Sequence, residues 1–113
     1  MSKPRLGDYL QHIRQAATQA LKFTEGMTEA EFAADKRTQQ AVVMNLIIIG
    51  EAATRIMDAY ADFVANHSDI PWRSMRGMRN RIAQAYFEID IPVVWMTVRD
   101  ALPDLLAALP RHH

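Results

Sequence analysis

Leu46, Ile47, Ile48 and Ile49 follow one another in the chain, and any helix that contains them is apolar around nearly its whole circumference. The segment around them, from about Thr38 to Met57, reads as helix. Its flanks carry Ala, Gln, Met and Glu, and it is far longer than an ordinary strand. A helix of this kind must be touched from several sides, so other helices have to surround it. Gly50 sits inside it at a cost of roughly 1 kcal/mol relative to Ala. The close approach of a neighbouring helix is one reason to accept that cost.

The other segments supply such neighbours. Leu6, Tyr9, Leu10, Ile13, Ala16, Ala17, Ala20 and Leu21 recur at three- and four-residue steps and form one apolar stripe, with Gly26 a natural stop. Thr28 followed by Glu31 is a capping box for a short helix through Phe32. A further short helix is expected over Asp58 to Ala65, before the turn chemistry of 66–71. The third long helix is predicted to start near Pro71 and run to about Phe87. Asp90 should cap the last one, with Pro92 in its first turn and Pro103 kinking or splitting it. The expected fold is all-α, an antiparallel bundle of four main helices in a single domain over residues 1–110. The closing His112-His113 reads as a tag remnant.

Composition removes several classes of function. The 113 residues contain no cysteine, which excludes disulfides, thiolate metal sites and thiol nucleophiles. Thirteen Lys and Arg balance thirteen Asp and Glu, so no overall field draws the chain to nucleic acid or membrane. No apolar leader follows Met1. The apolar run Ala41–Gly50 is about half of what a membrane span needs. A cytoplasmic protein that binds no membrane is expected. No His, Asp and Glu set has metal spacing, and no glycine-rich phosphate loop is present, so neither metal nor cofactor is expected.

The charge balance fails in one place. Between Ile70 and Phe87 there is no acid, while Arg73, Arg76, Arg79 and Arg81 all lie there. Arginine suits phosphate because its planar fork donates paired hydrogen bonds and stays charged. A solvated basic face pairing with acids elsewhere is the plainer reading. On a continuous helix Arg79 and Tyr86, seven apart, share an azimuth, whereas Arg79 and Gln84 point about 140° apart. One copy would not readily aim both at one atom, so a site using both is easier to build where two copies meet. Gly77 permits a close meeting there, or ordinary packing against a bulky neighbour.

The string Pro71-Trp72-Arg73-Ser74-Met75-Arg76-Gly77-Met78-Arg79-Asn80-Arg81-Ile82-Ala83-Gln84-Ala85-Tyr86 resembles the signature helix of the HepT-like HEPN proteins. These are toxins paired with minimal nucleotidyltransferase (MNT) antitoxins. Asn45 to Ala53 resembles the family's central helix, and Ile89-Asp90, Val94-Trp95 and Leu102-Pro103-Asp104-Leu105 resemble its last. The resemblance implies a homodimer that cleaves RNA without metal at a cleft between its copies. Arg79 would hold the scissile phosphate, Asn80 would orient groups around it, and a histidine would move the proton. Arg73, Arg76 and Arg81 would add phosphate contacts. Tyr86 would accept AMP groups from the antitoxin, blocking RNA from the same charges.

One departure bears on activity. Gln84 stands where the family has its histidine. An imidazole titrates near neutral pH, whereas an amide only donates and accepts hydrogen bonds. Losing a general acid–base removes roughly 10² to 10⁴ in rate, so this chain is expected to bind what the family binds and cleave it poorly. Gln84 is then an inactivating substitution, a feature of a natural binding-only member, or compensated by another proton carrier, for which His12 and His67 are the internal candidates. The alternative function is a non-catalytic helical dimer that binds nucleotide or a nucleotidyltransferase partner. Tyr86 has a second reading as a core or interface aromatic. Glu51 pairs with Arg55 four residues on, or else faces the cleft. Met44, Met57, Met75, Met78 and Met96 read as core or interface filler. Trp72 and Trp95 read as packing anchors, with base stacking a second option for Trp72.

Overall fold

The structure, a computed structural model, describes residues 5–110. The first four residues and the His112-His113 pair lie outside them. The described residues are helical, with no strand among them. Helix α1 spans Leu6–Phe23, α2 Glu29–Ala34, α3 Lys36–Ala59, α4 Ala61–Asn66 and α5 Trp72–Gln84. A 3₁₀ turn, Tyr86–Glu88, leads to α6 (Ile91–Met96), a π-helical turn (Thr97–Ala101) and α7 (Leu102–Ala108).

Helix α3 is the centre, as its apolar circumference requires. α1 and α5 make the two most extensive helix pairs with it. Ile13, Ala16, Ala17 and Ala20 of α1 are buried together with Val42, Leu46, Ile49, Ala53 and Ile56 of α3, and the alanines let the backbones approach closely. By length and composition α3 could cross a membrane, which the shorter run Ala41–Gly50 did not suggest, but half of that stretch is buried inside the bundle. Its buried Asn45 spends its amide on the Ala41 carbonyl at 3.1 Å. The burial is that of a core helix.

The caps sit where the sequence puts them. Thr28 and Glu31 exchange reciprocal bonds at the start of α2, and Asp35 caps α3 through Thr38. Asp90 accepts the Val93 amide at the start of α6. Gly26, with φ of 76°, turns the chain after α1. Arg99 lies over the Trp95 ring at 4.3 Å and donates to the Thr24 and Met27 carbonyls beyond the end of α1, where the helix dipole favours a cation.

Two expectations need correction, and a third is met. The α3 segment starts two residues earlier than read and runs to Ala59, so the short helix after it begins only at Ala61. Pro103 does split the last helix: the π-helical turn that ends just before α7 contains Arg99, whose carbonyl the Pro103 ring would otherwise strike. Finally, α5 stops at Gln84 and not near Phe87. Ile82 is its last buried residue, and from Ala83 through Val93 no side chain is buried. With no core to pack on, the chain turns at Ala85 (φ −129°, ψ 44°).

Candidate functional site

Gly50 brings α3 and α5 together. A Cβ there would overlap the Cβ of Arg79 and lie 2.8 Å from the Met75 carbonyl oxygen. The missing side chain lets the helices touch and sets Arg79 beside Glu51. This is the close approach that the glycine's position suggested.

Arg79 is fixed on two sides. Its Nη1 donates to Glu51 Oε1, while Nε and Nη2 both donate to Asn80 Oδ1, at 3.1 and 2.8 Å. A guanidinium carries five N–H groups, so these three bonds leave two, one on each terminal nitrogen. The Arg79 side chain is 24% exposed, and the two remaining donors are available to a carboxylate or phosphate. Asn80 thus orients the arginine from the neighbouring position.

Glu51 makes the expected contact with Arg55, 3.8 Å away on the same helix, but its direct hydrogen bond goes to Arg79 on α5, and that cross-helix bond is the tighter of the two. Among the described residues Arg73, Arg76 and Arg81 make no ion pair. The basic patch is nonetheless not continuous. Arg81 lies on the other flank of α5, lining a groove with Glu88 and Asp90. Arg73 is exposed and Arg76 half-buried.

Gln84, the last residue of α5, is exposed and lines the groove of Arg81, away from the Arg79 cluster. One chain does not bring Arg79 and Gln84 to a common atom. Gly77 has nothing within 4 Å of where its Cβ would stand, so packing within the chain does not explain it. Tyr86 has left the helix, and the shared azimuth with Arg79 therefore fails. The 3₁₀ turn leaves its side chain 56% exposed, which overturns its reading as a core aromatic.

Of the two spare histidines, one is engaged within the fold and the other is exposed. His67 stacks on Phe63 at 4.0 Å and its Nδ1 meets the Phe63 carbonyl at 2.9 Å. A carbonyl only accepts, so Nδ1 carries the proton and the ring is a structural brace. The His67 carbonyl takes the indole N–H of the buried Trp72, which rules that tryptophan out for base stacking. His12 is exposed on α1. Of the methionines, Met75 is core, whereas Met44 and Met96 are more than half exposed. No group of three His, Asp or Glu residues suited to a metal gathers among the described residues.

Sequence reading missed one feature, a groove between the start of α3 and the 3₁₀ turn. Its only local signal was a second aromatic, Phe87, directly after Tyr86.

A family model described as Ribonuclease HepT-like matches residues 13–111. The chain is 42% identical over 98 residues to a protein of Thermococcus cleftensis named "Probable ribonuclease HepT", covering 87% of this chain and 86% of that one. It is 32% identical to a "Putative RNase" of Methanocaldococcus jannaschii, over 92% and 84% of the two chains. Another "Putative RNase", from Caldanaerobacter subterraneus, is 31% identical over 93% and 89%. No solved structure matches. With its all-α bundle and the Arg79–Asn80 pair on α5, the chain belongs to the HepT-like ribonuclease family.

Proposed function

We propose that this chain is the RNA-directed toxin of a cytoplasmic toxin–antitoxin pair, working as a homodimer and neutralised by AMP transfer to Tyr86 from an MNT-type nucleotidyltransferase. The observation that carries the reading is the Arg79 guanidinium, held by Glu51 and Asn80 with two N–H groups unspent. Two unspent guanidinium donors on a partly exposed side chain fit a phosphodiester. Cleaving RNA without a metal requires the 2′-hydroxyl to lose a proton as it attacks phosphorus and the departing 5′-oxygen to gain one. Arg79 stabilises the charge on the non-bridging oxygens. Residue 84 of the partner copy would move the proton, because one copy points it elsewhere. Gln84 does not titrate, so the chain binds RNA and is impaired in cleaving it.

The exposed Tyr86 supports the second half of the proposal, since a hydroxyl in solvent is open to modification. AMP there would add an anionic phosphate on the turn that follows α5, opposing RNA by charge. The alternative, a binding-only dimer, is favoured by Gln84 itself.

The test is RNA cleavage, measured in chelator, by this chain and by Gln84→His. A gain of roughly 10² to 10⁴ in the variant supports the nuclease. No cleavage by a folded, RNA-binding variant refutes it in favour of the binding module. Intact mass after co-expression with a nucleotidyltransferase, on chains with Tyr86 and Tyr86→Phe, tests the modification.

A further inference from the structure

The groove between the start of α3 and the 3₁₀ turn is separate from the Arg79 cluster and has a volume of about 400 Å³, within the range of small-ligand sites. Its apolar lining comes from Val43, Ile89 and Ile91, all buried or half-buried. Tyr86 and Phe87 also line it, with ring centroids 5.8 Å apart and planes at 89°. Phe87 is 98% exposed. A phenyl ring left almost wholly in water makes no contribution to the core, and beside a groove it offers a face for a flat ligand.

The polar groups define that ligand further. Gln39 donates its amide to the Phe32 and Ala33 carbonyls, at 2.8 and 3.0 Å. Both N–H groups are spent, the amide is locked, and its Oε1 is fixed as an acceptor. Gln40 is exposed and able both to donate and to accept. Lys36 is the one charged residue of the lining, and the carboxylate of the neighbouring Asp35 is taken up by Thr38. Aromatic faces, an amide edge and a single cation together suit a planar heterocycle with hydrogen-bonding edges and an anionic end.

We propose that this groove seats a nucleoside monophosphate unit, its base against Phe87 and the glutamine amides and its phosphate toward Lys36. The inference rests on reading the chain as an RNA-directed protein. Two sources carry this chemistry, a nucleotide of a bound RNA strand or an adenylyl group tethered to Tyr86, whose own ring lines the groove.

The experiment is an NMR titration of the full chain with AMP, with ribose 5-phosphate as the base-free control. AMP is expected to shift the resonances of Val43, Tyr86, Phe87 and Ile91, and to bind at least tenfold more tightly than ribose 5-phosphate. Phe87→Ala and Lys36→Ala, both at exposed positions, should each weaken AMP at least fivefold while circular dichroism stays helical. Equal affinity for the two ligands, shifts elsewhere, or AMP binding unchanged in both variants overturns the site. A short single-stranded RNA separates the sources. If it produces the same groove shifts and loses affinity in Phe87→Ala, the base belongs to RNA. If AMP shifts the groove and the RNA does not, the adenylyl group is the occupant. Because the titration involves no cleavage, the groove and the nuclease reading can each fail without the other.

Discussion

The α-carbon of Gly50 lies against the Cβ of Arg79, with no room between them for a side chain. That contact fixes the separation of α3 and α5 and so determines whether Glu51 can reach the guanidinium. Gly50→Ala should therefore act twice. It is expected to destabilise the fold by about 1–3 kcal/mol, the usual cost of overpacking, and to loosen Arg79. Urea denaturation reads the first effect and RNA affinity the second.

Gly77 is the control, because a Cβ there meets open space. Gly77→Ala should stabilise the isolated subunit by about 0.5–1 kcal/mol through helix propensity alone. If the helices of two copies meet at this position, the same substitution should weaken the dimer. Sedimentation as a function of concentration separates the two effects.

Glu51 offsets the charge of Arg79. In Glu51→Gln the amide oxygen still accepts from Nη1, but the negative charge is gone. One unit charge about 4 Å from an anion is worth about 1 kcal/mol in water, so RNA affinity should rise about fivefold at low salt. The gain should shrink as salt is added. An unchanged affinity at every salt concentration would mean that phosphate does not bind at Arg79.

Asn80 holds Nε and Nη2. Placed in a Gln84→His background, Asn80→Ala should lower cleavage about 10- to 100-fold, the scale of a misplaced reacting group. RNA affinity should change little, since the positive charge remains. Single-turnover rates measured beside binding isotherms make the comparison.

Asp35 provides a pH reading of the α3 cap. The Thr38 hydroxyl bond to its carboxylate, 2.7 Å long, and then the Thr38 backbone N–H hold its pKa below the ordinary aspartate range. A lowered folded-state pKa means that this stabilisation is complete above the unfolded-state value of about 3.9. It is lost as pH falls through the lowered value. Thr38→Val should move the Asp35 titration upward in an NMR pH series, and an unmoved titration would show that the hydroxyl does not set it.

What the sequence made legible was local. The Thr28–Glu31 box, the Asp90 cap and the apolar stripe of α1 each depend on residues a few positions apart, where helical geometry is fixed. Gly50 was readable because its cost implied a compensating neighbour. The end of α5 was not, since Ala83, Gln84 and Ala85 are compatible with helix. What stops it is the lack of anything to pack on after Ile82. Likewise, the i,i+4 spacing of Glu51 and Arg55 was visible, while the stronger bond to Arg79, 28 residues away, depends on how two helices meet. The groove at Lys36 and Phe87 joins segments even further apart, and no periodicity reports it.

The stretch from Ala83 through Val93 adds no buried side chain to the bundle. Apart from the half-buried Ile89 and Ile91 and the Asp90 cap, substitutions there leave the hydrophobic interior intact, so thermodynamic stability exerts little selection on the rest of this stretch. Whatever it recognises is therefore free to diverge between relatives that share one scaffold, and insertions or shortened turns should collect there ahead of any other segment between α1 and α7.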